Sequence, residues 1–131
     1  MRKKQSFSII ERIKSFSHAF RGLLDMISTE HSAWIHVLAT ILVINLAWWL
    51  HVNSGEFAFI IISIVLVWIA EAFNTVLEVM ADLVVGQRYS HDVKRAKDIA
   101  AAAVLVAVFG AVIIGVIILW PHLCYKLGLI K

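Results

Sequence analysis

The stretch EAFNTVLEVMAD places Glu71, Asn74, Glu78 and Asp82 inside the longest apolar run of the chain, from Phe57 to Val85. At 100° per residue, with Glu71 at zero, Asn74 falls at about −60°, Glu78 at about −20° and Asp82 at about +20°. The four side chains therefore share one narrow stripe of a helix. Ionisable groups at membrane depth are costly and mark functional sites. Carboxylates held close repel one another unless a cation joins them or a proton neutralises one. Mg²⁺ takes hard oxygen ligands, a few carboxylates together with phosphates and water, and a lysine serves phosphate as a point charge. A carboxylate set deeper in apolar surroundings suits a general base. One chemistry that fits is a metal-bound polyphosphate meeting a substrate inside the membrane. A cation or proton pathway built on the same acids fits the pattern as well, and so does a structural pairing of the acids with Lys97 and Arg95.

Depth separates these groups. At ~1.5 Å per residue from Phe57, Glu71 lies ~21 Å along the helix and Glu78 ~32 Å along it. Glu71 is then expected in the inner leaflet, and Glu78 and Asp82 in the head-group zone. The third apolar segment starts at that level with RAKDIAAA, which brings Lys97 and Asp98 alongside the acids. Glu30, just before the first apolar segment, arrives at a similar level. Other chemistries find no support. The chain has no G-x-x-x-x-G-K-[ST] loop and no Gly-rich kinase loop. Its histidines lack the spacing of a zinc site, and Ser6, Ser8, Ser15 and Ser17 have no acyl-transfer arrangement.

The elements that must position these residues are helical and membrane-spanning. The 131 residues are 61% hydrophobic and 16% charged, with mean hydropathy +0.87, far from the balance of a soluble domain. One proline and six glycines leave little room for long loops, and the lone Cys124 excludes an intrachain disulfide. A single membrane-embedded domain over 1–131 is expected. Within 6–27, Ile9, Ile13, Phe16, Phe20, Leu23 or Leu24, and Ile27 recur at spacings of three and four, which predicts an amphipathic helix lying on the membrane surface. Spans are predicted over about 33–50, 57–85 and 96–120, each long enough for ~30 Å of hydrocarbon, the last one stopping at Pro121. The short HVNSGE connection makes the first two an antiparallel hairpin, and GQRYSHDVKR joins the second to the third. Arg2, Lys3, Lys4, Arg12, Lys14 and Arg21 precede the first span, whereas residues 51–56 hold no lysine or arginine. Arg88, Lys94, Arg95 and Lys97 surround the second connection. The positive-inside rule puts the N-terminus and that connection in the cytoplasm. The net charge of +3 is modest and points to lipid head groups rather than to nucleic acid.

Four segments in order resemble the small prokaryotic diacylglycerol kinases, a family that includes the undecaprenol kinases of Gram-positive bacteria. SFSHAFRGL at 15–23 resembles the surface-helix signature S-F-x-x-A-x-x-G, and TEHSAWIHVLAT at 29–40 resembles the start of the first span. EAFNTVLEVMAD is similar to E-x-x-N-[ST]-x-x-E-x-x-x-D, and AKDIAAAAVL at 96–105 to A-K-D-x-[AG]-[AS]-x-A-V-L. The resemblance covers roughly residues 6 to 120. It implies an all-α homotrimer in the bacterial inner membrane, with active sites shared between neighbouring subunits near the cytoplasmic face. It implies ATP- and Mg²⁺-dependent phosphorylation of a lipid alcohol, either diacylglycerol to phosphatidic acid or undecaprenol to undecaprenyl phosphate. Carried over by position, Glu71 is the general base with Asn74 as its polar neighbour. Glu30 and Glu78 hold the metal and nucleotide, and Lys97 neutralises phosphate with Asp98 beside it. Asp82 belongs to the motif without an assigned role. His18 stands where tyrosine is frequent. Arg12 has two readings, a phosphate contact and, favoured here, a head-group contact. Ala102 replaces a frequent glycine. His36 stands where the enterobacterial enzymes carry an acid and the Gram-positive branch a histidine, which tilts the expected lipid towards undecaprenol.

Overall fold

The computed structural model describes residues 9–86 and 90–129. Arg2, Lys3, Lys4 and Arg88, used above for topology, and the first three residues of the expected 6–27 helix lie outside them. The described residues form four helices, α1 (Ile9–Thr29), α2 (His31–Trp49), α3 (Ser54–Val85) and α4 (His91–Lys126). The last three are long and apolar enough to cross a membrane. Helix is the open-chain solution there, because it satisfies every backbone N–H and C=O within its own segment.

A single residue, Glu30, separates α1 from α2. Its backbone is extended at φ −99° and ψ 119°, and its N–H closes the last turn of α1 on the Met26 carbonyl at 3.0 Å. The Ser28 and Thr29 hydroxyls both donate back to the Asp25 carbonyl, so the polar end of α1 satisfies itself. The Glu30 carboxylate makes no capping bond to α2 and stands at the elbow between the two helices. Most apolar side chains of α1, among them Ile9, Ile13, Phe16 and Phe20, are exposed.

At the opposite end, α2 closes in a turn whose second and third residues reach back over the helix end. Val52 N–H bonds the Ala47 carbonyl and His51 N–H the Trp48 carbonyl, with His51 in the left-handed region at φ 56°. The pattern is a Schellman cap, and α4 repeats it with Gly128 at φ 69°. Helix α3 then starts with a capping box. The Asn53 side chain accepts from Glu56 N–H at 3.0 Å, and the Glu56 carboxylate accepts from Asn53 N–H at 3.0 Å. Glu56 also faces His122 Nε2 of α4 at 3.3 Å. Lys126 places its ammonium on the Trp49 carbonyl and 4.2 Å from the Trp49 ring centroid. Below these ties, Ala47, Ile60 and Ile118 form the core where the three helices meet. The contact between α3 and α4 is the most extensive of the fold, while α2 touches the pair over a shorter stretch.

The structure corrects the limits of the third span. Helix α4 begins at His91, with Ser90 as N-cap, and runs through Pro121 to Lys126, so half of the expected GQRYSHDVKR connection is helical. Proline costs a helix one N–H bond and a clash with the preceding turn, but apolar helices near a membrane tolerate it. Continuing the helix brings Cys124 into the buried set and carries Lys126 to Trp49. Of the two interruptions read from the sequence, only the glycine at 86 stops a helix, with φ 58° as the C-cap of α3.

The capping box yields a stability prediction. Asn53→Ala removes the side-chain acceptor for Glu56 N–H and should cost about 1 kcal/mol. Thermal unfolding in detergent should show a lower midpoint; an unchanged midpoint would mean that the start of α3 is held by its packing alone.

Candidate active site

The acidic stripe of α3 begins with the most deeply placed carboxylate of the described residues. Glu71 is 2% exposed. A carboxylate taken out of water is stable only with hydrogen-bonding partners, and α2 supplies both. Ser32 Oγ donates to Glu71 Oε1, and His36 Nε2 lies 3.4 Å from Glu71 Oε2. Ser32, His36 and Thr40 recur every four residues, so they line one face of α2. Trp68 and Glu71, three apart, form the matching face of α3. Trp68 Nε1 donates to Thr40 Oγ1 at 3.1 Å, and its ring meets the His36 ring edge-on with centroids 6.3 Å apart. Three polar contacts and one ring contact thus set the register of α2 against α3 around Glu71.

One turn further, Asn74 Nδ2 donates to Glu78 Oε1 at 3.0 Å. The structure gives Asn74 to Glu78 by this bond, whereas the motif reading had set it beside Glu71. The Asn74 Oδ1 atom is buried and accepts no hydrogen bond from the described residues. Glu78 is half-buried, so this turn presents a carboxylate and an unpaired amide oxygen together. At the end of the stripe, Asp82 pairs with Lys97 of α4. Asp98 lies one helical turn from Lys94, at 3.5 Å, and both are largely exposed. Such an exposed pair contributes little.

The expected convergence of Glu30, Glu71, Glu78, Asp82 and Lys97 is not a single cluster in the isolated chain. Among the described residues, no three His, Cys, Asp or Glu side chains gather as a metal centre. Each carboxylate of the α3 stripe instead has a donor of its own, which relieves the repulsion that adjacent acids would suffer. Hard oxygens are nevertheless present where Mg²⁺ would need them, in Glu78, in the unpaired Asn74 Oδ1 and in Glu30 at the elbow. Arg12 and His18 lie on exposed turns of α1.

An apolar cavity of about 350 Å³ opens among α2, α3 and α4, lined by His36, Thr40, Val43, Val67, Gly115 and Trp120 among others. His36, whose ring faces Glu71, is among its few polar lining residues. Sequence reasoning had not singled out Ser32, Thr40 or Trp68. The four-residue spacing of Ser32, His36 and Thr40 within an apolar span was the available signal.

The profile of a family described as prokaryotic diacylglycerol kinase matches residues 17–119. A diacylglycerol kinase of Synechocystis sp. is 40% identical over 109 residues, which are 83% of this chain and 62% of that protein, so the chain spans less than two thirds of this relative. The diacylglycerol kinase of Escherichia coli K12 is 34% identical over 117 residues, 84% of this chain and 89% of that one. An undecaprenol kinase of Bacillus subtilis is 33% identical over 110 residues, with 84% and 89% covered. On these matches, this chain belongs to the prokaryotic diacylglycerol kinase family, whose named relatives are lipid kinases.

Proposed function

We propose that the chain phosphorylates the hydroxyl of a membrane lipid alcohol with ATP and Mg²⁺, at the cytoplasmic face of the bacterial inner membrane. The observation that carries this reading is Glu71, a buried carboxylate with both oxygens engaged by α2, one of them by His36, which also lines an apolar cavity suited to a hydrocarbon chain. The lipid enters sideways from the bilayer, and its hydroxyl meets Glu71. Glu71 takes the hydroxyl proton as the lipid oxygen bonds to the γ-phosphorus. The bond from that phosphorus to the β–γ bridging oxygen breaks, ADP leaves with the electron pair, and the proton passes from Glu71 to water. Phosphoryl transfer needs mainly positioning and charge neutralisation, and this chain's residues divide those tasks by depth.

Glu30 and Glu78, with the unpaired Asn74 oxygen, supply the hard ligands for Mg²⁺, which when bound neutralises phosphate charge. Lys97 neutralises the transferring phosphate, and Asp82 orients Lys97 through their ion pair. Asp98 lies beside them on the nucleotide side. Helix α1 rests on the membrane surface, its exposed Ile9, Ile13, Phe16 and Phe20 in the interface, and His18 and Arg12 face the head-group and nucleotide side. The large apolar surface left on the spans, including Leu105, Val106 and Phe109, supports both lipid contact and assembly as a homotrimer with sites completed between subunits. The chemistry fits either diacylglycerol or undecaprenol, since each presents only a hydroxyl to Glu71.

Two measurements test the reading. Phosphate transfer from labelled ATP in mixed micelles, with diacylglycerol and undecaprenol offered side by side, should label lipid only with Mg²⁺ present. Glu71→Gln should lower kcat by about 10²- to 10⁴-fold without loss of assembly on size exclusion. Lipid labelling that persists after chelation of the metal, or an active Glu71→Gln variant, would overturn the assignment. Orientation is tested separately in a Cys124→Ala background. In intact cells a membrane-impermeant maleimide should label Ser54→Cys and leave Asp92→Cys unlabelled; the reverse pattern would invert the topology.

A further inference from the structure

We propose that Ser32 and His36 are the positioning residues of Glu71, one donor clamped on each carboxylate oxygen. The inference rests on Glu71 being the base that takes the lipid hydroxyl proton. It comes from three observations on α2 and α3. The Ser32 hydroxyl bonds Glu71 Oε1, and the His36 ring nitrogen Nε2 lies 3.4 Å from Glu71 Oε2. The side chains of His36 and Glu71 are 13% and 3% exposed, so water does not compete for these contacts. The imidazole is itself fixed, because its face meets Trp68 and Trp68 is tied to Thr40 by its indole N–H.

The chemistry follows from the count of lone pairs. A carboxylate offers about four acceptor positions on its two oxygens. Ser32 and a neutral His36 donating through Nε2–H occupy one position on each oxygen. A further position on either oxygen stays open to the alcohol proton. A carboxylate in apolar surroundings accepts a proton only while it is ionised, and the ionised form there depends on hydrogen-bond donors. The two donors offset the cost of burying the carboxylate and stop its rotation about the terminal torsion, which is otherwise broad. They do so without blocking it. His36 has a second contact that a clamp alone would not require, since it also lines the apolar cavity.

The test uses the full-length protein in mixed micelles and reads kcat, the KM for ATP and the thermal unfolding midpoint together. Ser32→Ala and His36→Leu should each lower kcat about 10- to 100-fold, the cost of a misplaced catalytic group, with KM for ATP unchanged. Ser32→Thr keeps the hydroxyl and His36→Gln keeps an N–H at the distance of Nε2, so both should recover kcat to within about threefold of wild type. Because both residues act through one carboxylate, adding Ser32→Ala to Glu71→Gln should lower kcat no further. If Ser32→Ala and His36→Leu keep wild-type kcat while Glu71→Gln is inactive, the clamp is overturned. Losses that follow a fall in the unfolding midpoint, with no recovery in the conservative variants, would likewise reduce the pair to packing. A wild-type protein that labels no lipid, or a fully active Glu71→Gln variant, would instead remove the kinase reading on which the clamp rests.

Discussion

A carboxylate buried in an apolar helix is the constraint around which this fold is arranged. Placing Glu71 at 2% exposure removes it from water, and the cost is offset only by donors brought from another element. Helix α2 has no other strong reason to choose one register against α3, because the side chains around the contact are interchangeable aliphatics. The polar pairs Ser32–Glu71, His36–Glu71 and Thr40–Trp68 remove that freedom. Sliding α2 by one turn would set His36 and Thr40 opposite Glu71 and Ile44 opposite Trp68, whose indole N–H would lose its acceptor. In an apolar interior such a mismatch costs more than the intact bond contributes, so a few polar contacts specify what general hydrophobicity cannot.

The two ends of the bundle are held by different physics. At the loop end, Glu56 links the start of α3 to His122, and Lys126 links the end of α4 to Trp49, so all three spans are fastened to one another near the 51–56 turn. At the other end the contacts are Asp82 with Lys97 and Lys94 with Asp98, ion pairs whose acids are largely exposed. Exposed pairs of this kind are weak and exchange partners readily. Lys97 can therefore leave Asp82 for a phosphate at little cost, whereas the closed end supplies a fixed frame. Stability and chemistry occupy opposite ends of the same helices.

Much of this was legible in the sequence, for reasons that also explain what was not. The stripe of Glu71, Asn74, Glu78 and Asp82 follows from helical geometry, which is the same in any helix, and the three apolar runs could only be helices. Pro121 misled, because a proline rule learned from water-exposed helices was applied to one whose neighbours and surroundings keep it intact. Asn74 was set beside Glu71, yet its bond goes forward to Glu78, a choice between two rotamers that spacing does not make. Ser32 escaped notice because a lone serine near a helix start has many ordinary roles. Its significance depends on which residue of α3 stands opposite, and that pairing is fixed only when α2 and α3 pack.

The spacing along α3 lets one helix carry both halves of the proposed transfer reaction. Glu71 and Glu78 are two turns apart, roughly 10 Å along the axis, and they share one face. The first is dry; the second is half-buried and sits with an unpaired amide oxygen. A lipid hydroxyl is held in the membrane by its chain, and a nucleotide is held outside it by its charge. The reacting oxygen and the γ-phosphate can therefore meet only where a group of each kind is within one another's reach. A triphosphate anchored near Glu78 covers most of that distance by its own length. On the proposed reading, a helix that changes from dry to wet over two turns brings the two reactants within reach of one another.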